Sequence, residues 1–302
     1  MSTSSEEIER TKQTLLAAFT GFLGYRTEDD VHRFRARVQE LLDEVPEDDL
    51  ARVVERIGDT GSEWGYYPAE PFARNVHYAM ADVTLTDDSR LEHGERLDAV
   101  RDRPLILLPN HISYSDANLL EILLHRFDFD DVADRLTVVT GPKVYSDAMR
   151  RFSSLCFGTI KTAQSRSVSS GEAVMSPREV ARVAMQTIDK SFERLDAGDA
   201  LLIFAEGSRS RSASLQPILA AVSRYLQRPG SVLVPVGITG TENLIPVGDS
   251  HIHRTRVVIR IGEPVESETL VARCQKKRPA MAQALGQMIA AALPASYRGV
   301  YG

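Results

Sequence analysis

Pro104-Leu-Ile-Leu-Leu-Pro109 followed by Asn110-His111-Ile112-Ser113-Tyr114-Ser115-Asp116 is the stretch on which the fold of this chain turns. The apolar run reads as a short buried strand. His111 and Asp116 stand five positions apart. On a regular helix that spacing leaves two side chains roughly 140° apart, so they would not meet. They meet if His111 ends the strand, Ile112 to Ser115 form a turn, and Asp116 starts a helix. Ser113 and Ser115 suit a turn and an N-cap. The stretch therefore predicts a strand–turn–helix junction that joins an imidazole to a carboxylate. Such a carboxylate fixes the tautomer and leaves the other ring nitrogen free to take a proton.

The same alternation continues along the chain. Apolar runs at Leu105–Leu108, Leu136–Thr140, Ala200–Phe204, Val232–Val236 and Arg256–Ile261 read as strands. Between them lie helical stretches at Asp116–Phe127, Tyr145–Leu155, Pro177–Ala197 and Pro217–Leu226. Ser176, Pro177 and Glu179 supply an N-cap, a first-turn proline and a capping-box acid. Buried strands alternating with helices predict an α/β fold: a mixed, largely parallel sheet flanked by helices. Ligands of such sheets bind beyond the carboxyl ends of the strands, where His111 stands.

Upstream the pattern is helical, and a helical bundle is expected before the sheet. Ser4 and Glu7 have capping-box spacing. Thr27 opens a helix whose stripe is Val31, Phe34, Val38, Leu41, Leu42 and Val45, and Pro46 can begin another. The division expected is a helical domain over residues 1–80 and an α/β domain over 81–302. Residues 1–99 carry 11 Lys/Arg against 22 Asp/Glu, and residues 100–302 carry 25 against 20. The acidic part would repel nucleic acid, and the basic part would attract an anionic substrate. Hydrophobic residues make up 43% and no apolar run approaches the length of a membrane span. With two cysteines and no signal-peptide pattern, the expectation is a soluble cytoplasmic protein.

A second informative segment is Phe204-Ala205-Glu206-Gly207-Ser208-Arg209-Ser210-Arg211, again directly after an apolar run. Gly207 lets the backbone turn sharply. Arg209 and Arg211 carry guanidinium forks suited to phosphate, and Glu206 could hold an arginine or shape the turn. Further basic candidates are Lys143, after Gly141-Pro142, Lys161, after an apolar stretch containing Gly158, and Arg166 in a serine-rich run. No G-x-S-x-G elbow is present, so a serine hydrolase is the weaker reading. A base acting on a bound hydroxyl next to an anion site is the stronger one. His251-Ile252-His253 lacks a third ligand at useful spacing, so no metal is expected. Arg273 to Arg278 is a basic cluster that could touch anionic headgroups.

These segments together resemble the glycerolipid acyltransferase family. The N-H-x-x-x-x-D motif corresponds to Asn110, His111 and Asp116. The glycine–arginine motif resembles Phe204 to Arg211, and an apolar motif with proline resembles Val232 to Gly240, containing Pro235. The layout looks most like the soluble plastid glycerol-3-phosphate acyltransferases, with a helical bundle before the catalytic domain. The resemblance implies His111 as general base and Asp116 as its orienting carboxylate. It implies Arg209 and Arg211, with Lys161 and Lys143 as further candidates, on the acceptor phosphate. Asn110, Glu206, Gly207, Ser208 and Pro235 would shape the site. The implied partners are a fatty acyl thioester, acyl-CoA or acyl-carrier protein, as co-substrate, and a phosphate-bearing acceptor. Peripheral membrane contact is a further candidate, and no cofactor is implied. Glycerol 3-phosphate is the first choice of acceptor, with lysophosphatidate acylation or thioester hydrolysis as alternatives. Lys161 stands where the family's second motif usually ends in arginine.

Overall fold

The computed structural model describes residues 5–23, 26–59, 65–162, 176–249 and 251–302. Ser4 and Arg166 lie outside the described residues. Three helices lead, α1 (Ser5–Gly21), α2 (Glu28–Glu44) and α3 (Glu47–Gly58). The Thr27 hydroxyl caps α2 by accepting from Asp30 N at 3.2 Å. Glu28, Asp29 and Asp30 crowd its first turn, where negative charge meets the positive helix end. Phe34, Val38, Leu41 and Leu42 are buried on one stripe of α2, as their spacing predicts.

Nine strands are found among the described residues, and they form one sheet. They are β1 (Tyr66–Tyr67), β2 (Arg90–Glu92), β3 (Leu105–Pro109), β4 (Leu136–Thr140), β5 (Gly158–Lys161), β6 (Ala200–Leu202), β7 (Val232–Thr239), β8 (Val258–Ile261) and β9 (Val265–Glu266). The order is β1-β5-β4-β6-β3-β7-β8-β2, with β9 added to β7. Strands β3 to β7 pair in parallel, as do β2 and β8. The antiparallel pairings are β1 with β5, β7 with β8 and β7 with β9. The sheet is thus mixed and mostly parallel, with helices on both faces, as the alternating pattern predicts.

β3 lies at the centre, and its side chains divide between two apolar layers. Leu105 and Leu107 join the core shared with α1, α2 and α4 (Pro71–Thr84). Ile106 and Leu108 join the opposite core, built with α10 (Ser267–Arg273) and α11 (Arg278–Ala291). That is the period of two that a strand imposes. The other helices are α5 (Glu95–Asp98), α6 (Asp116–Arg126), α7 (Asp130–Ala133), α8 (Ala148–Ser153) and α9 (Pro177–Asp196). The capping box at Ser176 and Glu179 is present in full.

Several boundaries differ from the sequence reading. Tyr145–Leu155 narrows to α8, with short 3₁₀ turns on either side, and Pro217–Leu226 becomes a 3₁₀ segment at Ala220–Gln227. β1, β2, β5 and β9 have four residues or fewer, too short for a period to show in sequence. No helix among the described residues is long and apolar enough to cross a membrane.

Candidate active site

The site grows from the carboxyl end of β3. Asn110, wholly buried, faces β7 and exchanges two hydrogen bonds with one residue there. Its Nδ2 donates to Ile238 O at 2.9 Å and its Oδ1 accepts from Ile238 N at 2.7 Å. The amide thus continues the ladder where the backbone leaves the sheet. The chain then turns through Ile112–Ser115, and Asp116 opens α6.

Asp116 is buried and fully occupied. Its Oδ2 accepts from His111 Nδ1 at 2.9 Å, Ile112 N at 2.7 Å and Ser113 N at 2.9 Å. Its Oδ1 accepts from the Thr241 hydroxyl at 2.5 Å. The two backbone amides can only donate, which marks the carboxylate as the acceptor. His111 Nδ1 then carries its proton toward Asp116, and Nε2 keeps its lone pair.

The second segment is folded around the same histidine. Glu206 accepts from His111 N at 2.6 Å through Oε1 and from Gln216 N at 2.7 Å through Oε2. Ser210 N donates to His111 O at 2.8 Å. The main chain of His111 is therefore held on both sides by the Glu-Gly-Ser-Arg loop. The Phe204 ring stacks on the imidazole, with centroids 4.0 Å apart. Gly207 has φ +72°, the left-handed backbone that favours glycine, and the nearest atom to a Cβ there would be the mobile tip of Leu219. Burial, with some help from the Asp116 charge, pushes the Glu206 carboxyl up to about 8, against the two amide bonds that favour its ionised form.

Arg209 lies beside this group, its Cζ 4.6 Å from the centroid of the Tyr114 ring. Tyr114 in turn meets the His111 ring edge-on, with centroids 6.5 Å apart. One imidazole, one carboxylate and one arginine are thus gathered at the ends of β3 and β6. The acyltransferase family model matches residues 89–239, half of the chain, and takes in every one of these residues except Thr241.

The chain belongs to the acyltransferase family.

Among solved structures, this acyltransferase is similar to the 1-acyl-sn-glycerophosphate acyltransferase PlsC from Thermotoga maritima. The two share 16% identity over 93% of this chain and 94% of that one, with a TM-score of 0.46. No curated protein matches the chain.

The remaining sequence candidates are distributed unevenly in the acyltransferase. Arg211 is exposed on the loop two residues past Arg209, and Ser208 is half-buried there. Lys143 is exposed, and its carbonyl accepts from Ser146 Oγ at 2.9 Å. Lys161 is not brought to His111. It ends β5, three strand spacings or ~14 Å from β3. Its ammonium donates to Asp59 at 2.6 Å and lies 4.1 Å from the Tyr67 ring centroid and 4.6 Å from that of Tyr145. This small cleft, also lined by Arg56 and Arg151, is a separate place in the fold. Pro235 sits inside β7, opposite Leu108, with its ring against Gly262. His251 and His253 both turn to the Asp249 carboxylate, at 3.2 and 2.7 Å.

Sequence reasoning assigned no role to Thr241, Tyr114, Phe204 or Arg150. Thr241 follows Gly240, whose φ of +92° and contact with Arg256 O admit no side chain. That turn delivers the hydroxyl to Asp116 from 125 residues away. A glycine straight after an apolar strand was the only local signal. An apolar cleft with a cavity volume of about 60 Å³ was also missed. Phe22, Met80, Leu119, Ile122, Phe152 and Leu244 line it, and it reaches Ser115, next to Asp116.

Proposed function

We propose that this acyltransferase moves a fatty acyl group from a thioester, acyl-CoA or acyl-carrier protein, to a hydroxyl of glycerol 3-phosphate. The observation that carries the reading is the His111–Asp116 pair at 2.9 Å, with Arg209 one aromatic ring away. The acceptor hydroxyl gives its proton to His111 Nε2 as its oxygen attacks the thioester carbonyl carbon. The carbon–sulfur bond breaks, and the imidazolium returns the proton to the departing thiolate. An ester and a free thiol result, with no acyl-enzyme. Asp116 holds the ring in the productive tautomer and stabilises the imidazolium. Arg209 supplies charge for the acceptor phosphate. Holding the two substrates in register supplies much of the rate. The apolar cleft beside Ser115 suits an acyl chain, because ten of its fifteen lining residues are apolar, the polar ones being His77, Thr84, Ser115, Asn118 and Ser153.

Thiol release from acyl-CoA tests this. It should depend on glycerol 3-phosphate and fall at least about 100-fold in His111→Ala, the usual contribution of a positioned base. Release without acceptor would instead indicate a hydrolase. Release dependent on lysophosphatidate alone would move the acceptor one step later. Full acceptor-dependent transfer by His111→Ala would remove the base assignment.

A further inference from the structure

Two guanidinium groups converge on Tyr114. Arg150 Cζ lies 4.0 Å from its ring centroid and Arg209 Cζ lies 4.6 Å from it. The cations are therefore no farther apart than those two distances laid end to end, and the ring they share abuts His111. Arg150 is presented by α8. Asp147 caps that helix by accepting from Arg150 N at 3.0 Å, and the guanidinium donates to Lys143 O at 3.2 Å.

Both side chains are half-buried, and among the described residues neither has a carboxylate partner. Several other arginines of the chain are ion-paired. Arg52 and Arg56 share Glu70, Arg194 pairs with Asp199, and Arg74 reaches Asp134. Two cations at such a separation repel by ~0.5–2 kcal/mol, depending on how much water intervenes. Each cation–π contact returns about 0.5–1 kcal/mol, so the arrangement gains little by itself. A dianion between the two forks turns the repulsion into attraction and gives each fork acceptor oxygens.

We infer that Arg150 is a phosphate-binding residue that closes with Arg209, around Tyr114, on the phosphate monoester of the acceptor. This rests on the proposed function and adds to it a residue far from both motifs in sequence. Arg150 binds and positions; it exchanges no proton.

Arg150→Gln and Arg150→Lys test it in the full chain. The KM for glycerol 3-phosphate should rise roughly 10- to 100-fold in Arg150→Gln, the worth of a charged hydrogen bond. Saturating kcat and the KM for acyl-CoA should stay within about twofold. Arg150→Lys, which keeps the charge and loses the fork, should recover part of the loss. Calorimetric titration of inorganic phosphate should show the same weakening in Arg150→Gln without any turnover. An unchanged acceptor KM overturns the inference. A raised acyl-CoA KM alone also overturns it, because Arg150 would then serve the donor's phosphates. If the wild-type chain transfers no acyl group, the proposed function fails by itself. The phosphate titration then still decides, and equal binding by wild type and Arg150→Gln, or none by either, overturns the inference.

Discussion

Asp116→Asn isolates the charge of the central carboxylate from its shape. On the Oδ2 side stand three N–H donors, from His111, Ile112 and Ser113. On the Oδ1 side stands a hydroxyl, from Thr241, which can accept as well as donate. An asparagine therefore fits with its oxygen toward the three donors and its NH₂ toward Thr241. Each donor exchanges a charged acceptor for a neutral one, at about 1 kcal/mol apiece. The fold should lose about 3 kcal/mol out of a total of ~5–15 kcal/mol, so it remains folded. In the proposed mechanism the chemical step loses the negative charge that stabilises the imidazolium. We expect kcat to drop by 10²–10⁴, or about 3–5 kcal/mol of transition-state stabilisation. Thiol release at saturating acceptor reads the rate, and thermal denaturation reads the fold. A folded Asp116→Asn with kcat within about threefold of wild type would refute the role of the charge. Asp116→Ala is the poorer probe, since it strands three buried donors at about 1–3 kcal/mol each.

Glu206 and Lys161 give two further expectations. Between its ordinary 4.5 and about 8, the folded chain holds a proton on Glu206 that the unfolded chain has released. That contribution is complete below 4.5 and is lost as pH rises through about 8, so Glu206→Gln should flatten the decline in Tm over that window. A steeper decline in the variant would contradict the shift. Lys161→Met should lower stability by about 2 kcal/mol, below the usual ~3–5 for a broken buried pair because Asp59 is 35% exposed. It should leave the acceptor KM within about twofold, and a large rise would place Lys161 in the acceptor site after all.

Much of this was written locally. The Leu105–Pro109 run, the alternation around it and the helical geometry of the His111–Asp116 spacing together predicted the strand–turn–helix junction. The α2 stripe and the Ser176 capping box were equally legible, because period and capping are properties of adjacent residues. β1, β2, β5 and β9 escaped because two to four residues display no period, whereas β6 and β8, equally short, lie within longer apolar runs. α8 was over-extended because Tyr145 to Asp147 form a turn before it and Ser154 and Leu155 belong to a 3₁₀ turn after it. Lys161 resembled a ligand in sequence since nothing nearby announced its partner, Asp59, 102 positions upstream.

The sequence by itself therefore determined the layer architecture and the imidazole–carboxylate pair, both carried by short-range spacing, while three ordered motifs carried the resemblance to the family. The tertiary structure decided which charges share the site. It set Lys161 on Asp59, brought Thr241 beneath Asp116 and laid Arg150 over Tyr114 opposite the loop of Arg209. Those choices depend on strand order and on turns at Gly207 and Gly240. Strand order is settled by how whole faces bury one another, and the spacing of neighbouring residues does not encode it.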